Sequence, residues 1–455
     1  MRGRVGWRAK GTGRICSHES GMFSGRTKAF DSSTFFIYFP AGSAYSLSAE
    51  SQLLMWKGAR MKIQSPWVTG AVSVVALVIG LTTARVGMIA QTEGVPNFDW
   101  DPLFFQDLPN RWTTGQVGGI SVDNQDHIWI AHRPATVSPG ERSASLNPPA
   151  ARCCTPAPPI LEFDQNGKFV KALGGPAEGY EWPTSEHGVY ADHKGNIWVA
   201  GNGKGDNHIL KFTNTGKFLL QIGKRNQSKG SNDTANVYGA ASMVVYPKTN
   251  ELFVADGYTN RRLIVYDADT GAYKRHWGAY GKPPDDNYKF PPRAQLIVGP
   301  PSPSFGNPVH SVVVSNDDMV YVGDRSNNRI QVFRLDGTFV TEVFVNRDTL
   351  QNEGTVHNFS LSRDPQQRYL FVADGSNKAL MVLDRRTLTL LSTFGGQGGH
   401  NARQFFHLHS LSSQPDSKGN LYVGEVNEGM RYFRLRYTGL GKPQNPGYAK
   451  VSKTP

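Results

Sequence analysis

The sequence predicts an all-β fold, a single six-bladed β-propeller of four-stranded blades, and three observations predict it. Short β-branched and aromatic runs separated by Asp, Asn and Gly turns follow one another as meanders. Segments with helical periodicity are scarce. One four-run unit recurs six times, with about 40–45 residues per copy plus loops, and radial repetition of that kind builds a propeller.

The clearest copy is Pro308 to Val343, PVHSVVVSNDDMVYVGDRSNNRIQVFRLDGTFVTEV. HSVVVS, MVYVGD, RIQVFRL and TFVTEV read as its strands, with Asn-Asp-Asp, Arg-Ser-Asn-Asn and Asp336-Gly337 as its turns. In chain order, residues 1–60 have no steady periodicity and read as a disordered or extraneous extension. Residues 61–90 open on Met61-Lys62 and carry an uncharged apolar run of about 15–18 residues, with small-residue sites near Ala84 and Ala90. They read as a secretory signal, or as an uncleaved anchor through residues 67–84, so the remainder is expected to be exported to the periplasm or the extracellular space.

The propeller is expected over 95–440, with a tail at 441–455. Its first unit is GGISVDNQDHIWIAHR with PILEFDQNGKFVKALG, and the second is EHGVYADHKGNIWVAGN with HILKFTNTGKFLLQIG. The third runs from ASMVVYPK to YKRHWG, the fourth is the stretch above, and the fifth starts at VHNFSLS. The sixth, from LHSLSSQ to MRYFRLRY, has only three strands, so the lead-in near Phe98-Asp99-Trp100 is expected to supply its outer strand and close the ring. Loops at 134–157, 224–237 and 281–307 belong on the faces, where function usually sits.

The chain has 49 Lys+Arg against 37 Asp+Glu, a formal charge of +12. Roughly +6 of that excess falls within residues 1–60, which leaves no basic footprint for nucleic acid on the repeats. Three cysteines, Cys16, Cys153 and Cys154, are too few for a disulfide scaffold, and only the vicinal pair could close locally. Asp256, Asp324, Asp374 and Glu425 recur at one repeat position and read as turn caps. His127, His193 and His208 read as turn or strand-edge residues, and His132 as a residue shaping the channel mouth.

Aligning the units places His187, His310 and His409 at one position of units two, four and six. The first strand of each blade lines the channel, and alternate blades of six are one third of a turn apart. Three imidazoles then converge on the axis, the geometry of a three-His metal site with an open fourth position. His357 holds the same position in unit five, as a fourth ligand or, as favoured, a neighbour supporting the ligands from behind.

The repeat pattern D-x-x-G-N-I-W-V-A and D-R-x-N-x-R-I-Q-V-F resembles NHL repeats. From about Gly115 to Leu435 the chain further resembles the catalytic core of peptidyl-α-hydroxyglycine α-amidating lyase. TTGQVGGISVD…IWIAHR puts Arg133 on that family's substrate-binding arginine, and VADGYTNRRL puts Tyr258 on its active-site tyrosine. PVHSVVV…VGDRSNNRIQVF puts His310 on a zinc ligand and Arg325 on a second active-site arginine, while EHGV and LHSL put His187 and His409 on the other zinc ligands. The resemblance implies a zinc-dependent lyase that splits a carbinolamide into an amide and glyoxylate. Arg133 and Arg325 would hold the substrate carboxylate, and Tyr258 or the oxygen at the metal would take the proton. The family also has an Asp beside its last zinc histidine that helps bind a structural calcium, which is Ser410 here. A Met two residues before that histidine is His407 here, a supporting neighbour or alternative ligand beside His357. The expected partner is a small-molecule or peptide substrate in the axial channel of a monomer. The rival expectation is a non-catalytic NHL-type propeller binding a peptide, glycan or protein, and a weaker one is an axial-metal hydrolase of lactones or esters.

Overall fold

A computed structural model describes residues 94–454. Residues 1–60 and 61–90, read as an extension and as a signal or anchor, lie outside the described residues. In chain order come β1 (Val95–Asp101) and the short β2 (Trp112–Thr113). Blade one is β3 (Val117–Val122), β4 (Ile128–His132), β6 (Ile160–Phe163) and β7 (Phe169–Leu173), with β5 (Thr155–Pro156) paired to β2 beside it. Blade two is β8 (Glu186–Ala191), β9 (Asn196–Gly201), β10 (His208–Thr213) and β11 (Phe218–Gly223). Blade three is β12 (Ala240–Tyr246), β13 (Glu251–Asp256), β14 (Arg262–Asp267) and β15 (Tyr273–Trp277). Blade four is β16 (Val309–Val314), β17 (Met319–Asp324), β18 (Arg329–Arg334) and β19 (Phe339–Val345). Blade five is β20 (Asn358–Leu361), β21 (Tyr369–Asp374), β22 (Ala379–Asp384) and β23 (Leu390–Gly395). Blade six is β24 (Leu408–Leu411), β25 (Leu421–Glu425) and β26 (Tyr432–Gly441), completed on its outer side by β1.

The missing sixth-blade strand is thus the lead-in itself, with Phe98 opposite Tyr437 and Trp100 opposite Leu435. The six inner strands abut one another in a closed cycle, β3–β8–β12–β16–β20–β24 and back to β3. The apolar core follows the same symmetry, with one buried cluster at each of the six blade interfaces. Inner strands such as β16 are buried along their whole length, whereas outer strands such as β7 and β11 keep partly exposed residues. That gradient is why the inner runs read as almost continuously apolar and the outer ones alternate.

Two features differ from the sequence reading. Residues 441–455 are not a free tail: β27 (Val451–Ser452) adds a fifth strand to blade four against β19, where Val345 faces Val451. Asp256 and Asp324 do more than cap turns, since each accepts an arginine Nε–H at 2.8 Å, from Arg262 and Arg329, with all four side chains fully buried. Cys153 and Cys154 close a vicinal disulfide within the 134–157 loop.

In a four-stranded meander, the second-to-third turn and the link to the next blade leave from one face. Arg133, Tyr258 and Arg325 follow second strands, and the 134–157, 224–237 and 281–307 loops are all connections of these two kinds. They open on the face where the inner strands begin, so loops and candidate site share one end of the channel.

Candidate metal centre and active site

The inner strands carry one irregularity at one place. In β3, β8, β12, β16 and β24 the pairing with the second strand slips just after the first residue. Gly118, His187, Ala241, His310 and His409 stand in these bulges, and a bulge re-aims a side chain out of the ladder. Three of the five are imidazoles, and they meet. Ring centroids lie 5.1 Å apart for His187–His310, 4.9 Å for His187–His409 and 4.7 Å for His310–His409. All three side chains are buried, and one nitrogen from each lies within 4.8 Å of the others.

The far side of each ring is tied to the next blade. His187 Nδ1 lies 2.8 Å from the Ala241 carbonyl, and His310 Nδ1 is bonded to the His357 carbonyl. His409 Nδ1 lies 3.1 Å from Ser410 Oγ, whose hydroxyl donates to the Gly118 carbonyl at 2.6 Å. A carbonyl only accepts, and the Ser410 proton is already engaged, so each Nδ1 carries the hydrogen and each Nε2 a lone pair. Burial, reinforced by nearby Arg133 and Arg325 or by the other histidines, pushes all three imidazoles well below their ordinary pKa and keeps them neutral.

His310 Nε2 and His409 Nε2 are 3.1 Å apart and face each other lone pair to lone pair, with no proton between them. A cation resolves that conflict. Ligand nitrogens of a tetrahedral zinc with bonds of about 2.0–2.1 Å lie about 3.3 Å apart. The donor set fits zinc, and the tethers are the outer contacts that fix such ligands. Ser410, where the resemblance implied a calcium-binding Asp, brings no carboxylate and spends its hydroxyl between His409 and Gly118.

Tyr258, on the turn after β13, puts its hydroxyl 2.8 Å from His187 Nε2 and 3.1 Å from His310 Nε2. The Arg325 guanidinium lies 5.7 Å from the Tyr258 ring centre, and its buried Nε has no protein partner among the described residues. Arg133 donates to the Glu186 carbonyl and Gln116 Oε1, both at 2.9 Å, and to Asn202 Oδ1 at 3.3 Å. Burial lowers the Arg133 pKa, against which Tyr258 and Glu186 act. The structure therefore brings His187, His310, His409, Tyr258 and Arg325 together, with Arg133 alongside.

His357 and His407 form a second group with Glu353, and His357 meets the first group through its backbone carbonyl to His310 and by edge-to-face ring contacts with His310 and His409. Among the described residues a third set of ligand-type atoms, Asp123, His127 and Glu162, lies on the opposite face. There both Asp123 oxygens are taken, one by backbone N–H groups and one by Trp129 Nε1 at 2.9 Å. Sequence reasoning missed Gln116, Asn202, the Ala241 carbonyl and Glu353. Ala241 and Asn202 stand at the repeat positions of the site histidines and arginines but differ from them in residue type, and a backbone acceptor leaves no side-chain signal.

Fold and site together define a six-bladed NHL-repeat propeller with a candidate three-histidine metal centre on its axis. The NHL-repeat profile matches residues 309–333 in blade four. Peptidylglycine alpha-amidating monooxygenase of Rattus norvegicus is 28% identical over 250 residues, 54% of this chain and 22% of that protein. Peptidyl-alpha-hydroxyglycine alpha-amidating lyase 1 of Drosophila melanogaster is 23% identical over 305 residues, 60% of this chain and 49% of that protein. A Caenorhabditis elegans protein named as a probable lyase of the same kind is 25% identical over 224 residues, 48% of this chain and 55% of that protein. The chain thus spans between about a fifth and just over half of the length of these curated relatives, and it is a distant relative of peptidylglycine-amidating enzymes.

Proposed function

We propose that this protein is an exported, zinc-dependent lyase of the peptidyl-α-hydroxyglycine α-amidating type, acting as a monomer on a small-molecule or peptide carbinolamide. The observation that carries the reading is three buried imidazoles with tethered Nδ1–H groups and converging Nε2 lone pairs, with a tyrosine hydroxyl against two of them. Distant likeness to proteins named as amidating lyases supports the reaction type. The apolar run within residues 61–90 supports export.

Zinc at the three Nε2 atoms would supply Lewis acidity toward the substrate hydroxyl. The chain's own groups do the rest. Arg325, with a free Nε–H, and Arg133 suit the carboxylate of R-CO-NH-CH(OH)-COO⁻ by charge-assisted bonds. Tyr258 Oη, against two of the histidines, suits the role of taking the hydroxyl proton. The hydroxyl oxygen then forms the C=O of glyoxylate, the C–N bond breaks, and the amide nitrogen receives the bonding pair and a proton.

Turnover of a small α-hydroxyglycine amide, read as glyoxylate, tests this. The zinc-loaded protein should release glyoxylate, chelator should stop it, and His310→Ala should abolish it. Tyr258→Phe should keep its zinc while losing about 10²–10⁴-fold in kcat. Zinc-loaded protein that releases no glyoxylate would contradict the proposal. Neither zinc nor turnover would leave a non-catalytic propeller binding peptide, glycan or protein.

A further inference from the structure

We propose that Glu353 is a positioning residue for the three-histidine centre: it accepts the Nε2–H of His407, draws the Nε2–H of His357 by charge at 3.8 Å, and so steadies the His357 carbonyl that fixes His310. The inference rests on the reading of the three histidines as the metal site.

Glu353, His357 and His407 bring three ligand-type atoms together. His407 Nε2 is 2.9 Å and His357 Nε2 3.8 Å from Glu353 Oε2, and the two Nε2 atoms are 3.3 Å apart. By composition this equals a two-His, one-carboxylate metal set. The direction of the hydrogen bonds separates it from the axial centre. The Gly375 backbone N–H donates to His357 Nδ1 at 3.1 Å, so that nitrogen holds the lone pair and Nε2 the hydrogen. The Asn427 amide nitrogen stands 3.2 Å from His407 Nδ1 and asks the same of it. At the axial centre each Nδ1 faces an acceptor. Here the nearest partner of each is a donor, the Thr355 carbonyl lying farther from His357 Nδ1 at 3.4 Å than the Gly375 N–H. Arg325 and Lys378 are charged neighbours of Glu353, which further suits an anion at this point rather than a second divalent cation.

The carboxylate is anchored as well as bonded. Gly354 has φ +73°, and a Cβ there would run into the Arg325 carbonyl oxygen, so the turn carrying Glu353 is pressed onto the backbone of the Arg325 turn. Thr355 Oγ1 donates to the Val345 carbonyl at 2.8 Å, just before His357. Glu353 thereby links the Arg325 turn, the entrance to β20 and the start of β24. Groups that orient metal ligands from behind typically change metal affinity or activity by 10–100-fold when removed.

Long-range ¹H–¹⁵N spectra of zinc-free, ¹⁵N-histidine-labelled protein read the tautomers directly. His357 and His407 should be Nε2–H and His187 and His310 Nδ1–H. An Nδ1–H tautomer at His357, or two zinc ions per wild-type chain falling to one in Glu353→Ala, would overturn the proposal. In chelator competition Glu353→Ala should release zinc about 10–100-fold more readily. Added formate should restore retention, and Glu353→Gln, which keeps one acceptor oxygen, should fall between. Zinc retention in Glu353→Gln and Glu353→Ala equal to wild type would also overturn it. Wild-type protein that binds no zinc would instead defeat the underlying metal reading, and the zinc-free spectra would still decide the role of Glu353.

Discussion

His132 and Tyr258 illustrate what one residue contributes and how far its sequence announced it. Tyr258 was legible only through the family resemblance of VADGYTNRRL, since D-G-Y-T-N by itself reads as a turn, and its hydroxyl does reach two of the histidines. His132 read only as a residue at the channel mouth, and the structure gives it a structural bond pattern. It takes the Gly115 N–H at 3.2 Å on Nδ1 and lies 3.0 Å from the Pro158 carbonyl on Nε2, fully buried. Burial lowers its pKa from 6.5 to about 4. Below pH 6.5 the unfolded chain therefore binds a proton that folded His132 refuses, so its contribution is full above 6.5 and lost as pH falls toward 4. That amounts to about 3 kcal/mol. Chemical denaturation of zinc-free protein between pH 4 and 7.5 should fall more steeply for wild type than for His132→Asn. Parallel slopes would contradict the assignment.

At the scale of the strand, the bulge at the head of five of the six inner strands is what turns a repeat position into a site. The alignment found the common position of His187, His310 and His409, because repetition is visible in residue identity. It could not find the bulge or the relay from each histidine to the carbonyl one blade on, because these are backbone properties. Gly118 shows the tolerance of that relay. A Cβ there would meet the Glu186 carbonyl oxygen at 2.7 Å and His187 Cα at 2.8 Å, all backbone that cannot swing aside. Gly118→Ala should therefore separate blades one and two, cost about 1–3 kcal/mol in denaturant titration, and weaken zinc retention. Unchanged stability and retention would show that the strand heads are looser than this. β1 was legible by subtraction, since the sixth unit lacked a strand. β27 was not, because two residues of ladder carry no periodic signal.

At the scale of the molecule, sixfold repetition made the propeller readable from the strand pattern alone, and six buried clusters at six interfaces close it. The candidate site lies on one face of that ring. The inner-strand heads, the second-to-third turns and the three long loops all leave from it, so the fold fixes where chemistry can sit while a few residues decide what it is. The part of the site that repeats was legible, and the part that does not, such as Glu353 and the partners of Arg133, required the three-dimensional arrangement. The most direct measurement is the zinc content of the purified protein together with zinc-edge X-ray absorption. The account predicts one zinc per chain, bound by three imidazole nitrogens at about 2.0–2.1 Å, with binding lost in His310→Ala while the β circular dichroism persists. A protein that retains no zinc, or one whose zinc ligation is unchanged by His310→Ala, would contradict it.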